Sequence, residues 1–137
     1  MTNSPAIESV YVVDTNALIW YLAAPNKLTA VAREIFSAAE RGETQLIISA
    51  ITVAEFYYSN QKWGWFEDFS QIFHELVTKP YFNFVPLQPN DILEFAQDVA
   101  VLEMHDRIIA GLARRLKAPL ITSDSQIALA NVVSIVW

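Results

Sequence analysis

The stretch VYVVDTNALIWYL, Val10 to Leu22, ends an apolar run on an acid and follows it with two small polar residues, Thr15 and Asn16, before a helical pattern begins. A short run of Val and aromatics suits a strand buried on both faces, as in a parallel sheet. Similar runs recur at Val10 to Val13, Leu46 to Ile48, Phe82 to Val85, Leu120 to Thr122 and Val132 to Val136. Helical patterns fall between them, at Thr29 to Arg41, Thr52 to Asn60, Trp65 to Thr78, Asp91 to Leu102 and His105 to Lys117, with Gly42 placed as a C-terminal stop. The alternation predicts an α/β fold, a mostly parallel sheet with helices on both sides.

The composition bounds the class. A chain of 137 residues fits one domain, 1–137, able to bury a core without disulfides. Its 53% hydrophobic content is too rich for disorder, and no apolar run approaches the roughly 18 residues of a membrane span. The opening MTNSPAIES lacks the basic and apolar stretches of an export signal, and cysteine is absent. Both features agree with a cytoplasmic protein. The net charge of −6, from nine Lys and Arg against fifteen Asp and Glu, disfavours a nucleic-acid partner unless acids gather in a pocket that holds divalent cations. Bound cations would reverse the local field there.

In open parallel sheets, sites form beyond the carboxyl ends of the strands. Asp14 follows VYVV directly, and Asp124 follows the strand in PLITSD. Glu55, in SAITVAEFYYS, lies in the first turns of the helix after the second strand and reaches the same edge. Asp106 opens the helix that leads back to Asp124, on the side shared by Ile109, Ala110 and Ala113, which is the sheet-facing side. Four carboxylates in a poorly solvated cleft either raise their pKa values or recruit cations. Hard ions, Mg²⁺ or Mn²⁺, suit an all-oxygen set and phosphodiester chemistry. Each acid also has a structural role open to it: Asp14 and Asp124 as caps, Asp106 at the positive end of a helix dipole, Glu55 as a solvated helix acid. His105 is a structural neighbour or a general base. Arg107, Arg114, Arg115 and Lys117 form the densest basic region, from which Arg107 could touch a phosphate, and Tyr57 to Phe69 reads as core aromatics or as a partner-contact patch.

With these residues in place, the chain resembles the PIN-domain ribonucleases, and within them the VapC-like toxins of bacterial and archaeal toxin–antitoxin pairs. VVDTNALIWYL is similar to the family's opening strand and first acid, ISAITVAEF to the segment with the second, MHDRIIAGLARRLKAPLITSD to the third and fourth, and VVSIVW to the closing strand. The resemblance implies a three-layer α/β/α sandwich with a mostly parallel five-stranded sheet and Mg²⁺- or Mn²⁺-dependent endoribonuclease activity. It also implies homodimers and a small antitoxin whose tail fills the active-site groove. Carried over, Asp14, Glu55, Asp106 and Asp124 would form the catalytic metal site, with Asn16 and Thr122 supporting them by hydrogen bonds. The acidic balance departs from what RNA binding asks. A PIN-like binding or scaffolding module without catalysis is the alternative; a receiver-like phosphatase lacks a lysine partner near the last strand and a second acid in a D-x-D pair.

Overall fold

Val10–Val13 (β1) forms the middle of a five-stranded sheet in a computed structural model that describes residues 6–137. The first five residues, part of the stretch searched for an export signal, lie outside that range. Alternation along β1 sets the layers, because successive side chains point to opposite faces. Tyr11 and Val13 enter one core, and Val12 enters the other. The chain continues through α1 (Thr15–Ala23), a short 3₁₀ turn (Pro25–Lys27), α2 (Ala30–Glu40), β2 (Gln45–Ser49), α3 (Ala50–Trp63), α4 (Phe69–Val77) and β3 (Phe82–Val85). It then runs through α5 (Pro89–Ile92), a 3₁₀ segment (Leu93–Asp98), α6 (Met104–Leu116), β4 (Leu120–Ile121), α7 (Ser125–Ala130) and β5 (Ile135–Val136).

All strand pairs are parallel, in the order β3-β2-β1-β4-β5. The expected α/β/α sandwich is therefore present. From β1 the chain winds first toward β2 and β3, then crosses to β4 and β5, so the direction reverses between β1 and β4. That reversal opens a crevice at their carboxyl ends. One face of the sheet carries Leu18, Ile19, Ile35, Phe36, Phe56 and Leu76 from α1 to α4. The other carries Ile109, Ala110 and Ala113 of α6 with Ile127 of α7. These are the α6 residues expected to share a side with Asp106, and small side chains there let the helix lie close to the sheet.

Three expected elements differ. The helix from Trp65 starts only at Phe69, because Asn60 is buried and exchanges hydrogen bonds with the backbone of Phe66 (2.7 and 3.0 Å), holding the intervening turn. Asp68 then caps α4 through the Gln71 N–H. The span Asp91 to Leu102 is one short helical turn and a 3₁₀ segment, not a continuous helix. Tertiary ion pairs decide this: Asp98, 1% exposed, takes Arg114 at 2.8 and 3.2 Å, and Arg114 also holds Glu94 at 2.9 Å. Gly111 gives the carboxylate room, since a Cβ there would lie 2.9 Å from Asp98 Oδ2. The expected last strand is reduced to Ile135–Val136, and α1 and α7 turn out to be the helices that follow the two Asp-terminated strands.

The Asp98–Arg114 pair fastens the segment that delivers the start of α6. Asp98→Ala removes the buried half of the pair and leaves Arg114 with Glu94 alone, so it is expected to lower unfolding free energy by about 1–2 kcal/mol. Urea denaturation checks this; an unchanged midpoint would remove the pair from the account of the fold.

Candidate active site

The carboxyl ends of β1 and β4 present Asp14 and Asp124 on either side of the crevice. Each is the N-cap of the helix that follows. Asp14 Oδ1 accepts from the Thr15 N–H at 2.8 Å, and Asp124 Oδ1 accepts from the N–H groups of Gln126 (2.7 Å) and Ile127 (3.1 Å). Capping occupies only part of each carboxylate, since every oxygen carries two acceptor sites. Thr122, also just past β4, donates to Asp14 Oδ2 at 2.6 Å and accepts from the Asp124 N–H at 3.0 Å. One buried hydroxyl thus ties the two strand-end acids together.

Glu55 comes in from the second turn of α3, where Thr15 Oγ1 donates to its Oε1 at 2.6 Å. Its Oε2 stands 3.4 Å from His105 Nδ1. On the opposite flank, Glu103 caps α6, its Oε2 accepting the Asp106 N–H at 2.7 Å, while its Oε1 lies 3.3 Å from the same His105 nitrogen. His105 therefore bridges Glu55 and Glu103 across the mouth of the crevice. Asp106 sits in the first turn of α6 between these groups.

The electrostatics follow from that crowding. Burial pushes the Asp106 carboxyl up to about 7, and the charges of Asp14, Asp124, Glu103 and Glu55 push in the same direction. Burial also raises Asp14, against the lowering effect of its hydrogen bonds from Thr122 and Thr15. It raises Glu55 too, against Thr15 and His105. Asp106 thus feels all four of the other acids. Among the described residues, however, no three His, Asp or Glu side chains are drawn tightly enough to form a ready-made metal cage. Hydrogen bonds from Thr15 and Thr122, with His105 within ion-pair distance of Glu55 and Glu103, hold the carboxylates in their own places, and repulsion opposes closer approach.

The structure thus brings Asp14, Glu55, Asp106 and Asp124 to one crevice, with Thr122 bonded to Asp14. Asn16 differs from expectation: it is exposed on α1, and no side-chain hydrogen bond joins it to an acid among the described residues. The preceding residue does that work, because Thr15 is the one whose side chain turns inward toward Glu55. Arg107 also differs. Its Nε donates to the Val101 carbonyl at 2.6 Å, which commits it to the loop before α6. Arg114 and Arg115 face Glu94, Asp98 and Asp91, so two of the four basic residues of the stretch are neutralised locally. Glu103 was not singled out from the sequence. The available signal was the E-x-x-D spacing, Glu103 to Asp106, which puts an acid at the cap of the helix whose first turn carries another.

With this geometry established, comparison adds a family. The model of the PIN domain matches residues 11–132. The chain belongs to the PIN domain family. Among solved structures, this PIN domain is similar to the DNA-bound VapBC of Salmonella typhimurium (TM-score 0.70, 18% identity, 94% of this chain and 98% of that one). It is similar also to VapBC2 of Rickettsia felis bound to a promoter DNA fragment (0.67, 15%, 93% and 97%). A toxin–antitoxin complex from Klebsiella pneumoniae is a third such structure (0.62, 22%, 93% and 96%). Among curated proteins the sequence comparison finds no match.

The raised Asp106 gives this PIN domain a characteristic pH response. Its folded-state value of about 7 lies above the ordinary 3.8, so the folded state holds the proton more tightly than the unfolded chain. The contribution of Asp106 to stability therefore falls as pH climbs from about 4 to about 7 and levels off above that. With divalent ions removed by EDTA, Asp106→Asn should raise the melting temperature by a few degrees at pH 8 and change it little at pH 4. Thermal unfolding at the two pH values measures this, and equal shifts would contradict the crowding.

Proposed function

We propose that the chain is a metal-dependent endoribonuclease, the toxin of a toxin–antitoxin pair, which hydrolyses RNA phosphodiester bonds at the carboxylate crevice. The single observation that supports this most is Asp106, a half-buried acid near four further carboxylates with no lysine or arginine paired to it among the described residues. Such a cluster has the chemistry of a hard-cation site, and its donors fit Mg²⁺ or Mn²⁺. All are oxygens, and Mg²⁺ takes only one or two carboxylates while retaining several waters, so a tight cage is not required. Asp14 and Asp106 are the proposed direct ligands, Glu55 the next, and Asp124 a ligand through water or to a second ion.

Bound there, the metal would supply an activated water and positive charge for the phosphate oxygens. The chain's own residues do the positioning. Thr122 fixes Asp14 in one orientation and couples it to Asp124; Thr15 does the same for Glu55. Asp14 is nearly inaccessible to solvent, whereas Asp106, Glu55 and Asp124 lie at the open side where a phosphate can approach. The likeness to VapBC and other toxin–antitoxin complexes supports a small antitoxin partner; a homodimer and a cytoplasmic setting belong to the same proposal. Among the described residues no helix is long and apolar enough to cross a membrane. Residues 1–137 are proposed to act as one PIN unit.

Purified protein should cleave single-stranded RNA with Mg²⁺ or Mn²⁺ and stop with EDTA. Asp14→Asn should lower the rate at least about a hundredfold, and Thr122→Val, which removes an orienting hydrogen bond, about 10- to 100-fold. Mn²⁺ should also raise the melting temperature more at pH 8 than at pH 5, because protons compete for the same oxygens. Cleavage that persists in EDTA or in Asp14→Asn would refute the mechanism. A Mn²⁺-induced thermal shift without cleavage of any RNA would favour the binding-module reading.

A further inference from the structure

The segment Tyr57 to Phe69 holds an exposed part that the carboxylate crevice leaves unused. On α3, Glu55, Tyr58, Ser59 and Lys62 fall at i, i+3, i+4 and i+7, a single stripe along the helix. Its first member belongs to the crevice. Its second, Tyr58, is 72% exposed although it is a large aromatic. Its third, Ser59, accepts a hydrogen bond from Trp65 Nε1 at 3.2 Å. Trp65 in turn packs edge-on against Trp20 of α1, with ring centroids 5.7 Å apart, and Lys27 Nζ lies 4.2 Å above the Trp20 ring. The stripe ends in a second cation on an aromatic, Lys62 Nζ over Trp63 at 5.0 Å, with Trp63 63% exposed.

The result is a track from the Glu55 end of α3 to α1 that carries the exposed Tyr58 ring and two cation–ring pairs, Lys62 on Trp63 and Lys27 on Trp20. It contrasts with α6, where the arginines Arg114 and Arg115 face acids of the preceding segment. Neither Lys27 nor Lys62 has a carboxylate partner among the described residues, so their charge is available to an anion. Lysines paired with rings, on the same helix stripe as an acid of the phosphodiester site, offer both charge for phosphates and a ring face for bases, the combination that single-stranded polyanions use.

Resting on the ribonuclease reading, we propose that the α1–α3 track seats the single-stranded RNA flanking the cleaved bond. Tyr58 stacks on the nucleobase next to the crevice, and Lys62 and Lys27 hold successive phosphates. Tyr58 is thus a determinant of strand binding and of preference for unpaired RNA. Because stacking uses the ring and not the hydroxyl, Tyr58→Phe retains the function and Tyr58→Ser loses it.

The test is binding of a fluorescently labelled 12-nucleotide single-stranded RNA to the full chain by anisotropy, with Ca²⁺ supplied in place of Mg²⁺ and integrity of the RNA checked on gels. Tyr58→Ser should weaken binding about tenfold, the range of a lost base–aromatic stack, with Tyr58→Phe near wild type. Lys62→Gln should reduce the slope of log affinity against log salt by about 0.7, one phosphate contact. The Mn²⁺ thermal shift should stay as in wild type, since these side chains are exposed and outside the carboxylate set. Wild-type RNA binding and cleavage with Tyr58→Ser unchanged in both would overturn the track and leave the ribonuclease reading standing. Loss of dimer on light scattering with RNA affinity unchanged would overturn it too, assigning the face to a second copy. No RNA binding or cleavage by wild type would overturn both proposals together.

Discussion

Mutual repulsion among carboxylates governs this molecule's site. A parallel sheet whose chain direction reverses between β1 and β4 sends Asp14 and Asp124 to the same end, and α3 and α6 add Glu55, Glu103 and Asp106. Left to itself, such a group would separate or take up protons. Here it is held by short hydrogen bonds from neutral groups, Thr15 to Glu55 and Thr122 to Asp14, both at 2.6 Å. Neutral donors orient an acid without cancelling its charge. The negative potential therefore persists, and it adds to burial, the larger cause, in raising the Asp106 carboxyl.

The structural and chemical roles of the strand-end acids coexist in the same side chains. Asp14 and Asp124 cap α1 and α7, which stabilises those helices at their positive ends, yet capping draws on the Oδ1 oxygens and leaves acceptor capacity on both. A cap is a good device for holding a carboxylate at a strand end, because the helix backbone fixes its direction. Glu103 extends the logic to α6, where an acid cap places a fifth carboxylate beside Asp106 and a partner beside His105.

Charge elsewhere in the chain is arranged so that the basic residues of α6 serve the fold. Arg107 holds loop carbonyls, and Arg114 and Arg115 answer the acids of the irregular segment before α6. That bracing keeps Glu103 and Asp106 in register with the sheet. Among the cations without a carboxylate partner in the described residues, Lys27 and Lys62 are the two that stand over tryptophan rings, Trp20 and Trp63. An acidic protein can thus present a locally favourable path, which is the sense in which net charge underdetermines a nucleic-acid surface.

The amino-acid order alone determined the strand–helix alternation, because runs such as VYVV can only be satisfied between two layers, and it marked Asp14 and Asp124 as strand-end acids. It also placed Asp106 on the Ile109, Ala110 and Ala113 side of its helix, since helical periodicity is local. Tertiary structure alone decided the rest. Whether Thr15 or Asn16 reaches Glu55 depends on how α1 leaves β1 and lies against α3. Whether Arg107 meets solvent or the Val101 carbonyl, and whether Asp91 to Leu102 is a helix, depends on packing against α6. The cap by Glu103 is local, but the approach of its neighbour His105 to Glu55 joins α6 to α3 and exists only in the folded chain. The contacts that Glu55 makes with Thr15 and His105 join elements distant along the chain, and no local pattern encodes the angle at which two helices meet.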